Sequence, residues 1–155
     1  MNYKDVVKNL IKRKLTIATA ESITGGLVSK LITDVPGSSN ILCESFVVYS
    51  NESKISILGV EPSIIEKYGV VSSETAKDMV IKLKILTGKD ICISTTGNAG
   101  PDLCDDKPVG RVYIGINFLR DIHIYECDFD GDRDKVRMKT AYKIFYEIDN
   151  ILKQC

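Results

Sequence analysis

The stretch Thr16–Gly26, TIATAESITGG, begins as a short apolar run with β-branched residues and ends in an acid, hydroxyls and a pair of glycines. Such a run bounded by polar residues reads as a strand, and the glycines suit a tight passage into a following helix. After it, LVSKLITDV carries Leu27, Val28, Leu31 and Ile32 on one helical face and stops before Pro36-Gly37, a turn pair that ends helices. Before it, Val6, Val7, Leu10 and Ile11 recur at helical spacing among charges. Helix, strand and helix in succession open an α/β fold.

The remainder continues that alternation. SFVVYS (45–50) reads as a second strand, and ESKISILG and PSIIEKYG as short helical pieces, each closed by a glycine. SSETAKDMVIKLKILTG has a serine start, an early acid and Gly88 at its end, the signature of a full helix. DICISTTG (90–97) reads as a buried strand, and GRVYIGINF with DIHIYECDF as a hairpin around Leu119-Arg120-Asp121. From Asp132 a long amphipathic helix has Val136, Ala141, Ile144, Phe145, Ile148 and Leu152 on its apolar side. Five strands interleaved with helices predict a three-layer α/β/α sandwich over a mixed, mostly parallel five-stranded sheet, with the hairpin imposing at least one antiparallel strand.

The chain has 155 residues, 44% of them hydrophobic, which suits a single domain over 1–155 with its own core. Lys and Arg total 21 and Asp and Glu 21, so no basic field favours nucleic acid or an anionic membrane. Nowhere do about 18 apolar residues run together, and the N-terminal segment is too charged for a signal peptide. The five cysteines, Cys43, Cys92, Cys104, Cys127 and Cys155, are odd in number and contain no C-x-x-C pair, so a reducing, cytoplasmic setting is expected and no metal site.

In open α/β sheets ligands bind beyond the C-terminal ends of the strands. Three such ends carry small or hydroxylated residues: ESITGG, YSNESK and TTGNAGP. Ser22, Thr24 and Gly25 in the first let a ligand approach the backbone at a helix N-terminus, although the same loop alone reads first as a helix cap. A serine needs a base to become a nucleophile. The one histidine, His123, lies in an alternating strand pattern and reads as a sheet-face residue. Lys54 instead sits just past a strand end among hydroxyls, where desolvation lets a lysine act as base. TTGNAGP offers Thr95, Thr96 and the backbone freed by Gly97 to a carbonyl or oxyanion, or is a plain turn before Pro101. Arg133 and Arg137, four apart near a helix start, would grip a phosphate or pair with Asp132 and Asp134 at the surface.

Taken in order, AESITGG, VPGSS, VVYSNESK, LGV, YGVVS, TTGNAGP, KPVGRVYIG and FDGDRDKVR resemble the CinA C-terminal domain family, over about Leu15 to Arg137. The resemblance implies a three-layer α/β domain, usually self-associated as a homo-oligomer, that hydrolyses the carboxamide of nicotinamide mononucleotide to nicotinic acid mononucleotide and ammonia. It implies no metal and no organic cofactor. The family's nucleophilic serine falls on Ser22, its lysine base on Lys54 and its hydroxyl beside the substrate on Thr96. Its phosphate-gripping arginine falls on the GDRDKVR segment, with Arg137 the better match over Arg133, and Tyr49 and Asn51 line the same cleft. Glu21, counted with the substrate-binding residues, either pairs with Lys54 or bonds to backbone in its own loop. Many relatives carry a further N-terminal domain whose activities are not expected here.

Four places depart from the family pattern: Ile23 where cysteine is usual, Cys43-Glu44 where glycines sit, Asn98 for an aliphatic residue, and DLCDD for a glycine-rich stretch. Asp105 and Asp106 would repel a substrate phosphate if they faced it. The alternatives are a nucleotide-binding module without turnover, a competence-associated interaction protein, and, last, a thiol enzyme.

Overall fold

Side chains of β1 (Ile17–Glu21) point alternately into two separate apolar layers, because successive residues of a strand face opposite sides of its sheet. Ile17 joins one layer, and Ala18 and Ala20 the other. The computed structural model describes residues 2–154; Cys155, counted above among the cysteines, lies outside them.

Before β1, helix α1 (Tyr3–Arg13) is capped by Asn2 and ends at Lys14 in a left-handed conformation. After it come α2 (Leu27–Thr33), a single 3-10 turn at Ser38–Asn40, and β2 (Leu42–Val47). A short helix α3 (Asn51–Ser53) runs into a π-helical turn at Lys54–Leu58, followed by α4 (Pro62–Tyr68) and α5 (Ser73–Thr87). Strands β3 (Ile91–Gly97), β4 (Arg111–Phe118) and β5 (Asp121–Asp128) precede the long α6 (Arg133–Gln154).

The sheet order is β2-β1-β3-β4-β5. β1 is parallel to β2 and β3, while β4 is antiparallel to both β3 and β5. β4 alone therefore runs against the other four, and the mixed, mostly parallel sandwich predicted from the sequence is the observed fold. Apolar residues of α1, α2 and α6, among them Leu10, Ile32 and Phe145, pack on Ile91, Ile93, Ile114 and Ile116. On the other face, Met79, Val80 and Leu83 of α5 pack with Leu58 and Val60 on Ala18, Ala20 and Cys92. Each such aliphatic side chain taken from water contributes about 1.5–3 kcal/mol.

The second strand lies three residues before its predicted position. Ser50 does not continue the strand: its hydroxyl accepts from the Ser53 amide, and the Ser53 hydroxyl accepts from the Ser50 amide. This reciprocal cap starts a helix, and it turns the chain inward just before Lys54.

Candidate active site

The C-terminal ends of β1, β2 and β3 lie side by side, and the residues just beyond them form one cleft. Ser22 follows β1 directly and is 8% exposed. Its amide bonds to the carbonyl and to the hydroxyl of Thr95, each at 3.1 Å, which fixes the backbone under its side chain. Lys54, only 1% exposed, places Nζ 3.0 Å from Ser22 Oγ. The same ammonium donates to the carbonyls of Val48 at 3.0 Å and Tyr49 at 3.3 Å. The inward aim comes from the π-helical turn that Lys54 begins, a widened turn of the kind found at functional sites.

Burial pushes the Lys54 amine down from 10.5 to about 8, against a smaller opposing effect of Cys104. The neutral amine has one hydrogen for each carbonyl and a lone pair for the Ser22 hydroxyl. That is the geometry of a base beside a nucleophile.

Around this pair is a cavity of about 260 Å³. Thr96, Tyr49, Asn51, Gly97 and Arg133, named from the sequence, line it together with Ser22 and Lys54. A Cβ on Gly97 would lie 2.9 Å from both the Arg111 carbonyl and Ile23 Cδ1, so only hydrogen fits there. Sequence reading missed Val70 as a wall, and did not single out Ala99 within TTGNAGP or Cys104 within DLCDD. YGVVS contained Val70, but no local periodicity says that it reaches the end of β3. Among the described residues, no three His, Cys, Asp or Glu side chains converge as a metal-ligand set.

Glu21, Thr24, Gly25 and Arg137 are not among the cleft residues. Glu21 is fully buried and accepts five hydrogen bonds: from the amides of Gly26, Val28 and Ser29 and from the hydroxyls of Thr24 and Ser29, at 2.6–3.0 Å. It bonds to its own loop rather than to Lys54 or a ligand, and its carboxylate fills the anion site at the N-terminus of α2 that the sequence offered to a substrate. Arg137 points at the same loop, donating to the carbonyls of Ile23 at 3.3 Å and Thr24 at 3.0 Å. Arg133 is the arginine at the cleft: its guanidinium bridges the Gly100 carbonyl at 2.7 Å and the Tyr49 hydroxyl at 2.8 Å. His123 lies on β5, stacked on Tyr125.

Residues 2–152 match the family model described as the CinA C-terminal domain. The chain belongs to this family. CinA-like proteins of Petrotoga mobilis and Fusobacterium nucleatum subsp. nucleatum are 42% and 46% identical to it, each over 94% of this chain and 36% of the relative. The chain thus spans about a third of the length of these curated relatives. Among solved structures, the competence damage-inducible protein A of Klebsiella pneumoniae superposes with a TM-score of 0.93 at 26% identity, over 99% of this chain and 98% of that one. The competence/damage inducible protein CihA of Agrobacterium tumefaciens gives 0.89 at 28% identity, over 96% and 94%. Other relatives of the chain, such as one from Clostridium beijerinckii at 45% identity over 91% of this chain and 35% of the relative, carry the name putative competence-damage inducible protein. No described helix is long and apolar enough to cross a membrane.

Proposed function

We propose that this CinA domain is an amidohydrolase that converts nicotinamide mononucleotide to nicotinic acid mononucleotide and ammonia. The observation that carries the reading is the buried Lys54 Nζ, 3.0 Å from Ser22 Oγ on the wall of a cleft. Lys54 takes the proton of Ser22 as Oγ attacks the carboxamide carbon. The oxyanion is met by backbone amides of the loops after β1 and β3; the Ser22 amide is not one of them, since Thr95 already occupies it. Collapse expels ammonia with the proton returned by Lys54, leaving an ester on Ser22. Water, deprotonated by the same amine, then releases the acid and restores the serine.

Ile23, Val70 and Ala99 give the cleft apolar surface for a flat ring, and Arg133 is the residue proposed to hold the phosphate at the rim. Two of its donors are used by Gly100 and Tyr49, and three remain for an anion. The first test is ammonia release from nicotinamide mononucleotide by the purified protein, with the acid product identified. Absence of turnover with retained binding would replace the amidohydrolase by a nucleotide-binding module.

Two further outcomes are expected. Because the active form is the neutral amine and its pKa is held at about 8, kcat/KM rises with pH through a midpoint near that value; a rate flat from pH 6 to 10 would reject Lys54 as the base. Arg133→Ala raises KM for the mononucleotide about tenfold and leaves KM for nicotinamide riboside nearly unchanged. Arg137→Ala, which frees the Ile23 and Thr24 carbonyls, lowers kcat for both substrates alike. The reverse pattern would return the phosphate to Arg137.

A further inference from the structure

Two of the departures from the family pattern, Asn98 and DLCDD, are joined in space. The segment around Cys104 crosses the edge of the cleft as a tight turn, with Cys104 bridged to Lys107. Asn98 fastens one side: its Nδ2 donates to the Lys107 carbonyl at 3.2 Å, while its Oδ1 accepts from the Gly100 amide at 2.9 Å. Asp105 fastens the other. Its Oδ2 accepts from the Val70 amide at 2.5 Å and the Val71 amide at 3.0 Å, so this acid is spent on backbone. The contact is close enough that a Cβ on Gly69 would lie 2.9 Å from the same oxygen. Asp105 itself has φ 53°, a left-handed conformation costly for most residues and tolerated by Asp and Asn.

Val70 is thereby held from both sides. Its amide goes to Asp105, and its carbonyl accepts the Thr96 hydroxyl at 2.7 Å. A hydroxyl has one proton and two lone pairs, so with its proton committed to Val70, Thr96 can only accept from whatever enters the cleft.

We propose that Asp105 is a positioning residue: by fixing Val70 it keeps the Thr96 hydroxyl facing the cleft as an acceptor, so that the site reads the N–H of a primary carboxamide. The carboxylate product offers no such hydrogen, and an ester substrate offers none either. The inference rests on the amidohydrolase reading and adds the residue that sets its preference for amides.

The test compares wild type with Asp105→Gly, which keeps the left-handed backbone but removes the carboxylate, and Asp105→Asn, which keeps an acceptor oxygen. For each protein, kcat and KM for ammonia release from nicotinamide mononucleotide are measured across pH, together with hydrogen exchange at the Val70 and Val71 amides. Asp105→Gly is expected to lower kcat about 10- to 100-fold with a smaller change in KM, to leave the pH midpoint in place, and to lose protection at both amides. Asp105→Asn should recover most of the rate. Unchanged kcat in Asp105→Gly despite loss of protection overturns the proposal, as does unchanged protection. If the wild type releases no ammonia, the amidohydrolase reading falls by itself, and exchange at Val70 and Val71 alone then decides whether Asp105 holds this wall.

Discussion

Lys54→Met and Ser22→Ala are each expected to lower kcat for the proposed ammonia release by about 10⁴-fold or more, with the double variant falling no further. Groups that act as one unit are grossly non-additive: once the base is gone the hydroxyl is an ordinary alcohol, and once the hydroxyl is gone the base has nothing to activate. Methionine fills the volume of the lysine stem without the amine, so near-ultraviolet circular dichroism should stay close to wild type. Lys54→Arg should be as inactive as the methionine variant, because a guanidinium does not surrender its proton near neutral pH. The measurement is single-turnover and steady-state ammonia release by the wild type and the four variants. Additive losses from the two single changes would mean that Ser22 and Lys54 do not work together.

Glu21→Ala is expected to destabilise the protein by about 3–5 kcal/mol, since three backbone amides and two hydroxyls lose their acceptor and a buried donor left unpaired costs about 1–3 kcal/mol. Water entering the space left by the side chain offsets part of that sum. For a chain of this length the loss lowers Tm by roughly 10 °C or more. The carboxylate accepts from the first turn of α2, where the helix dipole favours negative charge. Glu21→Gln keeps the shape but sets an amide group against donors, so it should fall between alanine and wild type. Thermal unfolding ranks the three. If Tm were unchanged while KM for the mononucleotide rose, Glu21 would be the substrate contact that the sequence suggested.

Much of the fold was legible because β1 and its glycine pair obey local rules: a β-branched run, then positive φ at Gly25 and Gly26, then an amphipathic helix. Ser22 was legible for a related reason, since it lies just beyond a strand end; Lys54 was read the same way, but β2 ends at Val47 and α3 intervenes before it. The misreadings concern direction and distance. Spacing put Arg133 and Arg137 on one face of α6, but which of them meets the cleft depends on how Val136 and Ile144 seat that helix on the sheet. Glu21 reaches forward from the last residue of a strand to the amide of Ser29, eight positions on, farther than any capping rule looks. Asp105 meets Val70 across 35 positions, and no pattern in either segment announces it. Ser50 shows the opposite failure: a hydroxyl at the end of an apolar run reads as strand until its partner at Ser53 is seen.

Ser22 and Lys54 are 32 positions apart and come together only once β1 and β2 pair in register. Thr96 and the guanidinium of Arg133 arrive from still farther along the chain. Contacts so distant along the chain form late, because the entropy of closing the intervening segments must be met before they stabilise anything. In a refolding time course, helical structure, built from local contacts, should therefore return before ammonia release does. Regained turnover would then act as a clock for closure of the whole sheet, and no proteolytic fragment lacking either neighbour of β1 should ever start it.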